Sequence, residues 1–140
     1  MIKIKKILVP LDGSKNSFRG LDEGIYLARQ CQAIIIGLHV IPFSKPQTNS
    51  QISYVEKFLL KKAGNLLSKA KKRAAQNGIL LEDKIEYGDE GSTITDFAYK
   101  NSFDIIVIGS RGQSGIKEAF LGSTSNYVLH KSKIPVLIVK

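Results

Sequence analysis

Gly109-Ser110-Arg111-Gly112 and, after a nine-residue interval, Gly122-Ser123-Thr124 are the residues whose types and spacing could do chemistry. They follow the apolar run Asp104-Ile105-Ile106-Val107-Ile108, which reads as a buried strand, and precede a segment of helical pattern, Ser125 to Lys131. Strand, glycine-rich loop and helix start, in that order, suit an anion. Glycines at 109, 112 and 122 can take φ > 0 and let backbone N–H groups approach a phosphate with no Cβ in the way. The unpaired N–H groups and positive dipole end of the helix then favour negative charge. The competing structural reading is that the glycines only permit tight turns around a packed helix start. Three of them at this spacing, with Ser123 and Thr124 behind, favour anion binding, and a side chain at Gly122 is expected to fill phosphate space.

The elements that must position this loop are read from the rest of the chain. Ile4 to Leu11 is expected to be a first strand, with Pro10 where its ladder ends. The chain turns at Asp12-Gly13-Ser14, and Ser14 or Ser17 caps a helix with apolar Phe18, Leu21, Ile25 and Ala28 at spacings of three and four. Asp12 is either a cap or turn residue or a ligand contact. Ala33 to Ile41 is so apolar and β-branched that it belongs in a sheet covered on both faces. Pro42 to Gln51 reads as a loop, and a long helix follows, roughly Ile52 to Asn77. Ile79 to Tyr87 is a strand near an edge, Thr93 to Asn101 a third helix opened by Asp89-Glu90-Gly91-Ser92, and Ile134 to Val139 the last strand.

Strands and helices alternate without a hairpin signal, which requires an α/β fold: a five-stranded parallel sheet with helices on both faces. Ligands of such sheets sit beyond the carboxyl ends of the strands, where the strand order reverses. The loops after the first and fourth strands would flank that point and bring Asp12 beside Gly109.

With 140 residues, 43% hydrophobic and 24% charged, the chain is expected to be one domain, residues 1–140, with a real core. No apolar run approaches the roughly 20 residues that span a bilayer, and the N-terminus carries no signal pattern, so a cytoplasmic location is expected. Cys31 is the single cysteine, which leaves no internal disulfide and assigns it to packing. The net charge of +9 raises nucleic acid as a partner. Much of the excess, however, is Lys57, Lys61, Lys62, Lys69, Lys71, Lys72 and Arg73. They alternate with Val55, Phe58, Leu59, Ala63, Leu66, Leu67, Ala70 and Ala74 as a solvated face opposite a core face. No nucleic-acid motif or aromatic cluster accompanies them, and that partner is not expected. His39 has no ligand-spaced partner and is read as structural, and His130 as a dipole partner at a helix end.

The loop is neither a Walker A sequence nor a G-x-G-x-x-G fingerprint. Its spacing, G-x2-G-x9-G-[ST] at Gly109, Gly112, Gly122 and Ser123, resembles the nucleotide-binding branch of the universal stress protein family. Val9-Pro10-Leu11-Asp12-Gly13-Ser14 is similar to that family's first-strand motif, Leu38-His39-Val40-Ile41 to the end of its second strand, and Ile134 to Val139 to its last strand. The resemblance covers essentially the full length. It implies a Rossmann-like sheet of strand order 3-2-1-4-5 and binding of ATP, with AMP or cyclic AMP as alternatives and Mg or Mn accompanying ATP. It places Pro10 at the pocket floor, Asp12 at the ribose, Val40 against adenine, and Gly109, Gly112, Gly122, Ser123 and Thr124 around the phosphates. Arg111 holds a variable motif position and is either a phosphate partner, by its charge alone, or a side chain that points to solvent. The implied role is that of a nucleotide-responsive homodimer in stress physiology, paired through the last strand. An enzyme, a slow ATP hydrolase or phosphotransferase, is the alternative; it would need a positioned base that the sequence does not offer.

Overall fold

The computed structural model describes residues 3–46, 53–112 and 120–140. Among these described residues, nine elements follow one another in strict alternation: β1 (Lys6–Pro10), α1 (Lys15–Cys31), β2 (Ile34–Ile41), α2 (Tyr54–Ala75), β3 (Leu81–Tyr87), α3 (Glu90–Lys100), β4 (Ile105–Gly109), α4 (Ser123–Lys131) and β5 (Val136–Val139). Every strand pairing is parallel and the order is β3-β2-β1-β4-β5, the expected Rossmann-like arrangement. β3 lies at one edge, as its mixed sequence predicts, and β5 at the other.

Side-chain alternation along the strands divides the core between two faces. Ile7, Val9, Ile35 and Val107 meet Leu21, Ile25, Ala28, Leu67 and Ala70 of α1 and α2. Leu8, Ile36, Leu38, Ile106 and Ile108 meet Ile94, Ala98 and Val128 of α3 and α4. The four apolar positions expected on α1 are all buried. α2 departs from its pattern: Val55 and Phe58 are exposed, at 56% and 57%, although they continue the apolar stripe. Geometry explains this. A helix of 22 residues runs about 33 Å, whereas the seven-residue β3 spans about 23 Å, so the first turns of α2 project past the carboxyl end of the sheet. The lysines on the opposite side of α2 are exposed.

Three helices bring their own cap. Ser14 Oγ accepts from Ser17 N, Ser53 Oγ from Glu56 N, and the Asp89 carboxylate from Ser92 N. The fourth does not, because its N-cap is Gly122. α4 also starts at Ser123 rather than at Ser125, and α3 at Glu90 rather than at Thr93, so both helices reach closer to the carboxyl end of the sheet than their apolar periodicity indicates.

Candidate functional site

Between β1 and β4 the strand order reverses, and the loops that leave their carboxyl ends border a cleft of about 260 Å³. Pro10, Asp12, Gly109, Arg111, Gly112, Gly122, Ser123 and Thr124 all line it. Val40 is the exception among the expected residues. It sits on β2, on the far side of β1 from β4, where it packs half-buried against the core cluster of α3 and α4. Ser17, Glu90, Ile108 and Ser125 complete the lining.

The first wall is an Asx turn. Asp12 Oδ1 accepts from Ser14 N at 2.9 Å, which fixes the carboxylate at the mouth of α1. His39 supports this wall from β2: its Nδ1–H donates to the Leu11 carbonyl at 2.7 Å, and Leu11 N donates to Leu38 O. This contact ties the end of β2 to the turn after β1.

The second wall, residues 110–112, is held by side chains that carry no local motif. Asn16, in the first turn of α1, is buried. Its Oδ1 accepts from Arg111 N at 2.6 Å and from Ser110 Oγ at 3.4 Å, while its Nδ2 reaches Val139 O at 3.4 Å. Ser110 O in turn accepts from Gly122 N and from Ser125 Oγ, both at 2.7 Å, which ties the loop to the start of α4. Nothing in the sequence near Asn16 announces this role, since its partners lie more than ninety positions away.

The glycines serve the loop differently from the expectation. None of Gly109, Gly112 or Gly122 has a positive φ. Gly109 is required by close approach: a Cβ there would lie 2.6 Å from the Asn16 carbonyl oxygen and 2.7 Å from its Oδ1. At Gly112 a Cβ would collide with Asp12 Oδ2. The two walls therefore touch each other through a glycine. At Gly122 a Cβ would meet Arg111 Cα at 3.4 Å and Ser110 O at 3.5 Å, so a methyl group fits and the expected steric block does not arise from Cβ itself. What Gly122 withholds is a capping side chain of its own for the first-turn N–H groups of α4.

Glu90 was not legible as a site residue because the periodicity of α3 starts it too late. The signal was present, however: an Asp followed by Glu at a strand's carboxyl end marks an N-cap and an acidic first turn. In the structure Glu90 opens α3, lines the cleft, and hydrogen-bonds with the Thr124 side chain. Burial pushes its carboxyl above the ordinary range, and the negative charge of Asp12 adds to the shift. The Thr124 hydrogen bond opposes it and Asp89 again raises it. The folded protein therefore holds the Glu90 proton to higher pH than the unfolded chain does, so stability falls as pH rises from the unfolded value through the folded one. Glu90→Gln is expected to raise the melting temperature at pH 8 relative to the parent, with the difference closing near about pH 4, where glutamate is protonated in both states. Thermal denaturation of both proteins across that range checks the sign; a variant less stable than the parent at pH 8 would contradict it.

Among the described residues, no three His, Cys, Asp or Glu side chains cluster to hold a metal ion. The described donors thus do not form a cage for Mg or Mn. Also among them, no helix is long and apolar enough to cross a membrane.

Comparison with known proteins agrees with this architecture. Residues 3–140 match the universal stress protein family. The chain is 39% identical over 145 residues to universal stress protein YxiE of Bacillus subtilis, covering 96% of this chain and 98% of that protein. Among solved structures, universal stress protein UspA from Lactobacillus plantarum superposes with a TM-score of 0.84 at 26% identity and full coverage of both chains. A universal stress protein in complex with cAMP superposes with a TM-score of 0.76 at 25% identity, over 99% of this chain and 98% of that one. The matched motif, the sheet order and the relatives agree, and the chain belongs to the universal stress protein family.

Proposed function

We propose that the protein is an adenine-nucleotide-binding module that works as a homodimer. The observation that carries the reading is the N-terminus of α4, capped by a glycine and opening on a cleft at the point where the strand order reverses. Helix amides and the dipole there attract phosphate, and Arg111 adds a cation at the same cleft. The phosphates take the amides around Gly122, Ser123 and Thr124, the ribose lies toward Asp12, and adenine extends toward β2 and Val40. The related structure with cAMP supports an adenine ligand in this fold. ATP, AMP and cyclic AMP share the recognised chemistry, and a divalent cation that accompanies ATP would arrive with its phosphates. The role is binding rather than rapid turnover, with any ATP hydrolysis far below the roughly 10 per second of typical enzymes.

Calorimetric titration with ATP, AMP, cyclic AMP and GTP tests the reading. Adenine nucleotides are expected to bind and GTP to bind less tightly. Gly112→Ala should weaken adenine nucleotides at least about tenfold, because its methyl displaces the Asp12 carboxylate or the loop and loses a charge-assisted hydrogen bond of about 1.5–3 kcal/mol. Unchanged affinity in folded Gly112→Ala protein, or no heat with any adenine nucleotide, would count against it.

The dimer rests on the contrast between the two sheet edges. β3 protects its edge with exposed Glu82, Asp83 and Lys84, whereas β5 presents Val136, Leu137, Ile138 and Val139 with no charge among them. Such an unguarded apolar edge calls for a partner strand, and antiparallel pairing with a second copy closes a twofold dimer.

A further inference from the structure

Among the described residues, the cleft lining brings a second carboxylate to a phosphate site. Its charged lining, among the described residues, is Asp12, Glu90 and Arg111, two carboxylates against one guanidinium. The two acids are not equivalent. Asp12 is fixed by the Ser14 amide in the turn after β1. Glu90 projects from the first turn of α3 and shares a hydrogen bond with the side chain of Thr124, in the first turn of α4. Thr124 is one of the groups that the phosphate would need. The groups around Glu90 are Asp12 from the loop after β1, Asp89 at its own helix cap, Arg111 from the loop after β4 and Thr124 from α4. Tyr127 of α4 packs against the neighbouring Gly91.

We propose that Glu90 is a proton-coupled gate on this cleft: a nucleotide phosphate binds with uptake of one proton by the Glu90 carboxylate. The inference rests on the adenine-nucleotide reading of the site. With Glu90 ionised, the incoming phosphate meets a carboxylate beside its helix amides. When Glu90 is neutral, the carboxylic acid can donate its O–H to a phosphate oxygen. No bond other than this O–H is made or broken; the proton comes from solvent. Burial and Asp12 already bias the free protein toward the protonated form. A bound phosphate within about 4–6 Å strengthens that bias, since a like charge at this distance disfavours ionisation. Linkage then fixes the sign. Affinity is greatest below the Glu90 value of the free protein, falls as pH rises from there to the higher value of the complex, and levels off above it. Universal stress proteins with a neutral residue at this position would bind nucleotide without that pH dependence.

The test compares the parent with Glu90→Gln, titrated with cyclic AMP and with AMP in EDTA from pH 5 to pH 8.5. Cyclic AMP is useful because its phosphodiester does not titrate in this range. The second ionisation of the AMP phosphate falls near about pH 6 and cancels in the ratio of the two proteins at each pH. At the alkaline end of this range the variant is expected to bind at least about tenfold more tightly than the parent, and the ratio should fall toward one as the pH is lowered. A bound phosphate that holds the Glu90 proton to about one pH unit higher changes affinity by that factor of about ten. Calorimetry of the parent in buffers of different ionisation enthalpy should show proton uptake over the pH range in which its affinity falls, absent in the variant. Three results overturn the proposal. A ratio independent of pH, with both proteins binding, leaves the nucleotide site intact and removes the gate. A variant weaker than the parent at every pH makes the Glu90 carboxylate a direct ligand contact, on the ribose for example. No binding by either protein at any pH contradicts the nucleotide reading and the gate with it.

Discussion

Gly109→Ala is expected to destabilise the protein by about 1–3 kcal/mol, lowering its melting temperature by roughly 5 °C or more, and to abolish measurable nucleotide binding. The methyl group would stand 2.6 Å from the backbone oxygen of Asn16 and 2.7 Å from its side-chain oxygen. Neither atom is the free end of a flexible chain. The carbonyl belongs to the first turn of α1, and Asn16 Oδ1 is held by Arg111 N. Relief requires α1 to move off β4 or the loop to leave Asn16, and either opens the site. Differential scanning calorimetry and nucleotide titration of the same preparation check both parts. A variant as stable as the parent, with unchanged affinity, would show that the approach of α1 to β4 is looser than this packing requires.

The second large effect concerns assembly. Pro135 O accepts from Ile106 N, and Val139 O accepts from Ser110 N at 2.7 Å, so the backbone groups of alternate residues 135, 137 and 139 face β4. Those of Val136 and Ile138 therefore face the open edge. Prolines at these two positions remove edge donors while sparing the β4–β5 ladder, the placement a sheet tolerates best. Val136→Pro combined with Ile138→Pro is expected to convert the proposed dimer to a monomer that keeps its fold by circular dichroism. Some packing is lost as well, since both side chains rest against the core cluster of α3 and α4. A stable interface buries at least about 1,000 Å² in total, so the exposed Leu137 and the flanking helices must contribute beyond the strand itself. Light scattering that finds a concentration-independent monomer for the parent, or an intact dimer for the folded double variant, contradicts the β5 interface.

The parallel sheet and the position of the cleft were legible because they rest on strong, local signals, whereas the strand order was implied by the family resemblance. β-Branched runs such as Ile34-Ile35-Ile36 can only be buried strands, and strict alternation with helices leaves few topologies. The glycine spacing identified a loop that lines the cleft, for an incomplete reason. Conformational freedom is the property of glycine visible in one dimension, whereas Gly109 and Gly112 are needed because residues of α1 and of the β1 loop press against them from across the fold. Asn16 was invisible for the same cause: an asparagine inside a helix has no pattern, and its value lies in three partners that only the tertiary structure brings near. Glu90 and the first turn of α4 were displaced by weighting apolar periodicity over capping, which is the better guide to where a helix begins when its first turn faces a site rather than the core. The exposed start of α2 is a further case in which periodicity continues past the surface it was meant to cover.

The most direct test of the central claim, that adenine nucleotides bind by their phosphates at the start of α4, is a backbone amide NMR titration of the parent protein with AMP. The largest chemical-shift changes are expected on the amides of Gly122, Ser123, Thr124 and Ser125 and of Arg111 and Gly112, saturating together with those of Asp12 and Gly13. Changes confined to other surfaces, or none at millimolar AMP, would contradict it.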